Sequence, residues 1–116
     1  MDSMVAKKAF DFGIRMVKLS RYLKSRGTEL SLRSQLLRSG TSIGANIEEA
    51  LEAQSNKDFI AKLSISLKEC RECRYWLKLL CACSDIEERH FEDIDKDAHE
   101  LYRMLSSIII TSKKKG

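Results

Sequence analysis

The chain has 116 residues, a formal net charge of +4, no proline, five glycines and four cysteines. That length makes one domain with a core that stands without staples. The absence of proline, where average usage would place roughly six, excludes a loop-rich fold, and the helix-forming composition predicts an all-α class.

The opening Met1-Asp2-Ser3 is not basic, and no apolar run approaches the ~20 residues of a membrane span. The expectation is a cytoplasmic chain with reduced thiols and no membrane partner. Charge is segregated along it. Residues 1–26 hold seven cations against two acids, a net of +5, and residues 85–100 hold eight acids against two cations, a net of −6. Such polarity suits subunit pairing or a polyanion.

A single domain over 1–116 is expected, with four helices at about 3–25, 31–54, 56–83 and 85–112 and a basic tail at 113–116. Helix 1 carries two apolar seams. Ala6, Phe10, Gly13, Val17 and Ser20 form one, and Phe12, Met16, Leu19 and Leu23 the other. Asp2 or Ser3 is its candidate cap and Gly27 its stop. Helix 2, with Thr28 or Ser31 as cap, turns Leu36, Gly40, Ile43, Ile47, Ala50 and Gln54 inward at alternating steps of 4 and 3. Gly40 and Gly44 lie four apart on one face, and each costs a helix roughly 1 kcal/mol against Ala. Close approach of another helix is the physical reason for both. Gly40, Ile43, Gly44 and Ile47 are therefore the candidate helix-packing residues.

Helix 3 follows Ser55-Asn56-Lys57-Asp58, which has the form of a capping box. Its main seam runs Ile60, Leu63, Leu67, Cys70, Arg74, Leu77, Cys81, beside a second stripe of Phe59, Ser66, Cys73 and Leu80. Helix 4 starts at a second box, Ser84-Asp85-Ile86-Glu87, and sets Phe91, Ile94, Ala98, Leu101, Leu105 and Ile108 inward. Sustained 3–4 spacing on four segments joined by short breaks predicts an antiparallel up-down four-helix bundle. Helices 1 and 3 each carry a stripe more than one small bundle needs, which points to homo-oligomers.

Residues able to carry chemistry are few. Cys70 and Cys73 lie mid-helix, away from the helix N-terminus where a redox Cys-x-x-Cys gains its low pKa. Cys81 is about 16 Å along the axis from Cys70, too far to share a tetrahedral ion. Glu87-x-x-His90 occurs once, whereas a di-iron bundle needs two such motifs. Ser39, Thr41, Ser42 and Asn46 crowd helix 2 without a histidine near in sequence to act as base. No enzyme, no metal and no cofactor is expected. Arg74 falls on a seam and requires a partner. Glu48 and Glu49 are the attractive ones across helix 2, in a buried or subunit-interface pair, with Glu69 or Glu72 as local alternatives.

The best functional lead is the outer face of helix 1. Lys7, Lys8, Arg15, Lys18, Arg21, Tyr22 and Arg26 fall within about 80° of Lys18 at 100° per residue. A basic face with one aromatic suits the phosphates of RNA or single-stranded DNA. The alternative is a structural, protein-interaction module whose basic face meets an acidic protein partner.

The run Arg-Ser-Gly-Thr-Ser-Ile-Gly-Ala-Asn-Ile-Glu-Glu-Ala over 38–50 is the most distinctive in the chain. Continued by Ser55 to Ile60, by Ser66 to Cys70, and by Glu72 and Tyr75-Trp76-Leu77, it resembles the four-helix-bundle family named after 23S rRNA intervening sequences. The resemblance covers about Phe10 to Ile110. It implies an up-down bundle that assembles as a homopentamer, with no assigned enzymatic activity. It also implies kinship with the basic accessory protein of diversity-generating retroelements, which binds a reverse transcriptase and nucleic acid. Many members read Asn-Ile-Ala-Glu-Gly where this chain reads Asn46-Ile47-Glu48-Glu49-Ala50, the mark of a subgroup.

Overall fold

The computed structural model describes residues 3–116, with side chains from Met4 onward. Four helices follow in order: α1 (Ser3–Ser25), α2 (Leu30–Leu51), α3 (Asn56–Ala82) and α4 (Glu88–Lys115). They form an up-down four-helix bundle measuring 47 × 21 × 19 Å. Each helix packs on its two neighbours, and α4 closes back on α1 through the sparsest of the four contacts.

The turns show why the chain reverses where it does. Gly27 takes φ +85°. The Thr28 amide donates to Leu23 O at 3.0 Å and the Gly27 amide to Lys24 O at 3.1 Å, a Schellman stop. Ser84, at φ +66°, ends α3 in the same conformation without glycine's freedom, and the Asp85 amide donates to Leu80 O at 2.8 Å. Ser55 caps α3, its Oγ accepting the Asp58 amide at 3.0 Å.

Other expected ends move. α2 is capped at Glu29 with no side-chain bond, and the Thr28 hydroxyl instead donates to Asp85 across the bundle end at 3.0 Å. α4 is capped at Glu87 because Ser84 is taken by the turn. α2 stops at Leu51, which leaves Gln54 in an exposed loop rather than inward. The lysine tail is the last turn of α4, where its charges complement the helix dipole. The cap at Asp2 or Ser3 lies outside the described side chains.

The core takes one seam of α1 and excludes the other. Val5, Ala9, Phe12, Met16, Leu19 and Leu23 are buried, while Phe10 stands 68% exposed and Gly13 and Val17 are only partly covered. On α2 the expected Leu36, Gly40, Ile43, Ile47 and Ala50 are all buried. α3 buries members of both its stripes because it sits between α2 and α4. On α4, Ile109 replaces Ile108.

Two buried side chains of α3 close on the backbone of neighbouring helices. Ser66 donates to Ile43 O at 2.8 Å, joining α3 to α2. Cys70 donates to Ala98 O at 3.3 Å, joining α3 to α4. Among the described residues no buried side-chain nitrogen or oxygen lacks a partner, as a stable core requires.

Gly40 and Gly44 differ. A Cβ on Gly40 would sit inside van der Waals contact with Met16 Cγ and 3.1 Å from Met16 Cβ. A Cβ on Gly44 would meet the Ala9 backbone at an ordinary 3.5 Å. Close approach is therefore obligatory at Gly40 and only permitted at Gly44.

Candidate functional site

The two charged regions of the sequence meet each other. Because α4 closes the bundle against α1, acids of α4 lie along the basic face of α1. Lys8 pairs with Glu100 at 2.8 Å, and Arg15 bridges Asp93 and Asp97, the latter at 2.7 Å. Arg26 reaches Asp85 at 3.4 Å and donates to Ser84 O at 3.1 Å. Lys7 pairs along its own helix with Asp11 at 3.0 Å. The Lys8 hydrogen bond holds the Glu100 carboxyl below its ordinary range, and Arg15 does the same to Asp93. Partial burial pulls the Arg15 pKa down, but its bonds to Asp93 and Asp97 leave it raised.

The seven residues expected to form a phosphate-binding face on α1 are thus divided. Lys7, Lys8, Arg15 and Arg26 are ion-paired within the chain, and Lys18, Arg21 and Tyr22 remain exposed. The segregation of charge was legible in the sequence. What sequence reading missed was the partner, because only the closure of α1 on α4 brings the two regions together.

Arg74 pairs with α4 rather than with Glu48 or Glu49. Its guanidinium donates from Nε to Asp95 Oδ1 at 2.9 Å and from Nη2 to Asp95 Oδ2 at 3.1 Å, and Nη1 lies 3.1 Å from His99 Nδ1. The bond to Asp95 raises the Arg74 pKa. Glu48 and Glu49 lie on the exposed side of α2. Arg74 is turned toward α4 by its position on α3, which a seam drawn on a single helix does not reveal. Glu69 and Glu72, the local alternatives, are taken by Arg38, whose Nη1 lies 2.6 Å from Glu69 and whose Nη2 bonds Glu72.

The polar cluster on α2 is used up locally. Ser39 donates to Gln35 O at 2.8 Å, Thr41 to Leu37 O at 2.7 Å, Ser42 to Arg38 O at 2.6 Å and Asn46 to Ser42 O at 2.8 Å. All four cysteines are free thiols. Burial pushes Cys70 up to about 11 and Cys73 up to about 12, which makes poor nucleophiles of both. Among the described residues no group of three or more His, Cys, Asp or Glu is placed to hold a metal ion. Among the described residues no helix is long and apolar enough to cross a membrane.

An apolar groove lies along the outside of α1 and α2. It has a volume of about 350 Å³ and is walled by Phe10, Gly13, Ile14 and Val17 of α1 and by Gly44 and Ala45 of α2, with Glu48 at its edge. Ile14 is 42% exposed. The excluded seam of α1 is thus one wall of an uncovered cleft.

The model of the 23S rRNA-intervening sequence protein family matches residues 1–107. The chain belongs to this family. A crystal structure of a protein of unknown function from the S23 ribosomal protein family of Bacteroides thetaiotaomicron VPI-5482 is similar over 90% of this chain and 97% of the other, at 47% identity and a TM-score of 0.89. No curated protein matches. In this member of the 23S rRNA-intervening sequence protein family, the residues that carry the sequence resemblance hold the fold. Arg38 clamps Glu69 and Glu72, Trp76 donates to Glu72 at 3.1 Å, Gly40 admits Met16, and Ser66 ties α3 to α2. The motif specifies helix packing.

Proposed function

We propose that this chain is a non-catalytic assembly protein that joins copies of itself through the groove between α1 and α2. The observation that carries this reading is the uncovered apolar seam of α1. Phe10 and Ile14 stand in solvent beside Gly13, and a Cβ on Gly13 would meet nothing within 4 Å. A mid-helix glycine costs roughly 0.5–1 kcal/mol against Ala, and nothing inside the protomer calls for it. Close approach of a second copy does. A ring of five, as the resemblance implies, would seat the groove on a different face of the next copy. The free thiols go with a reducing, cytoplasmic compartment for this assembly.

Self-assembly is preferred to phosphate contact through α1 because four of the seven expected residues already hold carboxylates. Sedimentation velocity tests the proposal. The wild-type chain should sediment well above 13.3 kDa at micromolar concentration. A Phe10→Glu, Ile14→Glu variant should sediment as a monomer with unchanged helical circular dichroism. A monomeric wild type overturns the reading.

A further inference from the structure

Among the described residues, a stripe of exposed cations that make no ion pair runs along α3, far longer than the two cations of the expected face, Lys18 and Arg21, left on α1. Lys57, Lys68, Arg71, Tyr75 and Lys78 are all exposed. At 100° per residue they fall within about 80° of one another. Lys57 and Lys78 are about 31 Å apart along the axis at 1.5 Å per residue. The other α3 residues in that sector are Ile60, Ser64 and Ala82, so no acid of α3 interrupts it. Among the described residues Lys57, Lys68, Arg71 and Lys78 make no ion pair. The acids flanking the stripe near its centre are engaged elsewhere: Glu72 by Arg38 and Trp76, Asp95 by Arg74.

The stripe also has ring surface. Tyr75 is 57% exposed. Beside it a depression of about 290 Å³ is lined by Arg71, Arg74, Lys78 and Phe91, with Asp95 at Arg74. The Arg71 guanidinium lies 5.4 Å from the centre of the Tyr102 ring and donates to the Tyr102 hydroxyl at 3.3 Å, which holds that guanidinium at the stripe.

We infer that the outer face of α3 binds single-stranded nucleic acid, its cations contacting successive phosphates and Tyr75 stacking on a base. A long row of cations suits a phosphate backbone. A protein partner would need a buried apolar centre, and the apolar surface at the stripe is limited to Tyr75, Ala82 and the partly covered Ile60 and Phe91. The stripe is separate from the α1–α2 groove, so the inference does not depend on self-assembly.

The test is fluorescence anisotropy of a labelled oligouridylate with the full chain across a salt series. Four phosphate contacts give a slope of log K against log salt of about −2.8, so binding should be roughly fiftyfold weaker at 200 mM than at 50 mM salt. Lys68→Glu with Lys78→Glu should remove about half of that slope, because each lost contact removes about 0.7. Tyr75→Ala should weaken binding roughly five- to a hundredfold and leave the slope unchanged. Lys18→Glu with Arg21→Glu on α1 should bind as the wild type does. Circular dichroism and sedimentation of each variant must match the wild type, and a variant that fails this control is replaced by the milder Lys68→Gln, Lys78→Gln pair. The inference is overturned if the wild type shows no salt-dependent binding, or if the α1 variant loses as much as the α3 variant. Polyglutamate competing as well as oligouridylate at equal charge also overturns it and assigns the face to an acidic protein.

Discussion

At the scale of single residues, the two glycines of α2 show how register decides an effect that spacing cannot. Gly40 and Gly44 are equivalent on a helical wheel, yet α1 sets a side chain against one and its backbone against the other. Gly40→Ala drives a methyl into Met16 near the root of that side chain, where rotation gives little relief. It is expected to cost about 1–3 kcal/mol by overpacking. Gly44→Ala places its methyl in ordinary contact with Ala9 and gains up to about 1 kcal/mol of helix propensity. Thermal unfolding should separate them, with a lower melting temperature for the first and an equal or higher one for the second. Equal losses in both would show that α1 lies closer to Gly44 than described. Ser84 offers a converse case. Its φ of +66° strains a side chain, so Ser84→Gly should raise stability by about 0.5–1 kcal/mol. An unchanged melting temperature would remove strain from the account of that turn.

At the scale of elements, the α1–α4 contact is the sparsest in the bundle and the one most dependent on charge. The native state holds Asp93 below its ordinary 3.8 chiefly through the Arg15 hydrogen bond, and Glu100 below its ordinary 4.5 chiefly through Lys8. A carboxylate depressed by folding stabilises the native state above its ordinary pKa. That contribution disappears as the pH falls through the folded-state value. The melting temperature should therefore be flat from neutral to about pH 5 and fall below it. Because both acids are exposed, 1 M salt should blunt the fall. Arg15→Met should flatten it further, since Asp93 then titrates normally in both states. An identical acid slope in wild type and variant would place the acid sensitivity elsewhere. The sequence had the helices of this contact within a few residues, because 3–4 spacing and the Gly27 stop are local signals. It did not say which seam of α1 faces inward, because both are apolar and the choice belongs to the packing of α2 and α4. The partner of Arg74 was hidden for the same reason. The α3 stripe did not stand out in the sequence, because its freedom from flanking acids rests on where Arg38 and Arg74 reach.

At the scale of the whole molecule, the four thiols report on how cooperatively the bundle opens. Cys73 sits in the centre with its sulfur 3.8 Å from Met16 Sδ, bringing α3 and α1 together across the core, and Cys70 is bonded to α4. Cys83 is exposed beyond the end of α3, and Cys81 is half-buried. Thiolate is the reactive form, and burial raises Cys70 to about 11 and Cys73 to about 12. Two barriers, access and ionisation, therefore protect the inner pair. Local fraying at the α3–α4 turn exposes the outer cysteines only, whereas reaching Cys73 requires α1 to leave α3. Labelling with a thiol reagent at pH 8, followed by peptide mass spectrometry, should modify Cys83 first and Cys81 next. Cys70 and Cys73 should react together, at a rate set by global unfolding, and sub-denaturing urea should accelerate both by the same factor. Gly40→Ala, which loosens the Met16 contact, should speed the inner pair and leave Cys83 unchanged. If Cys70 is labelled without Cys73, the bundle opens first by releasing α4, the helix whose closure on α1 depends most on charge. The same experiment at 1 M salt would then show that opening enhanced. Concerted labelling at both ionic strengths instead means that the apolar core, and not the ionic seam, sets the cooperativity of the fold.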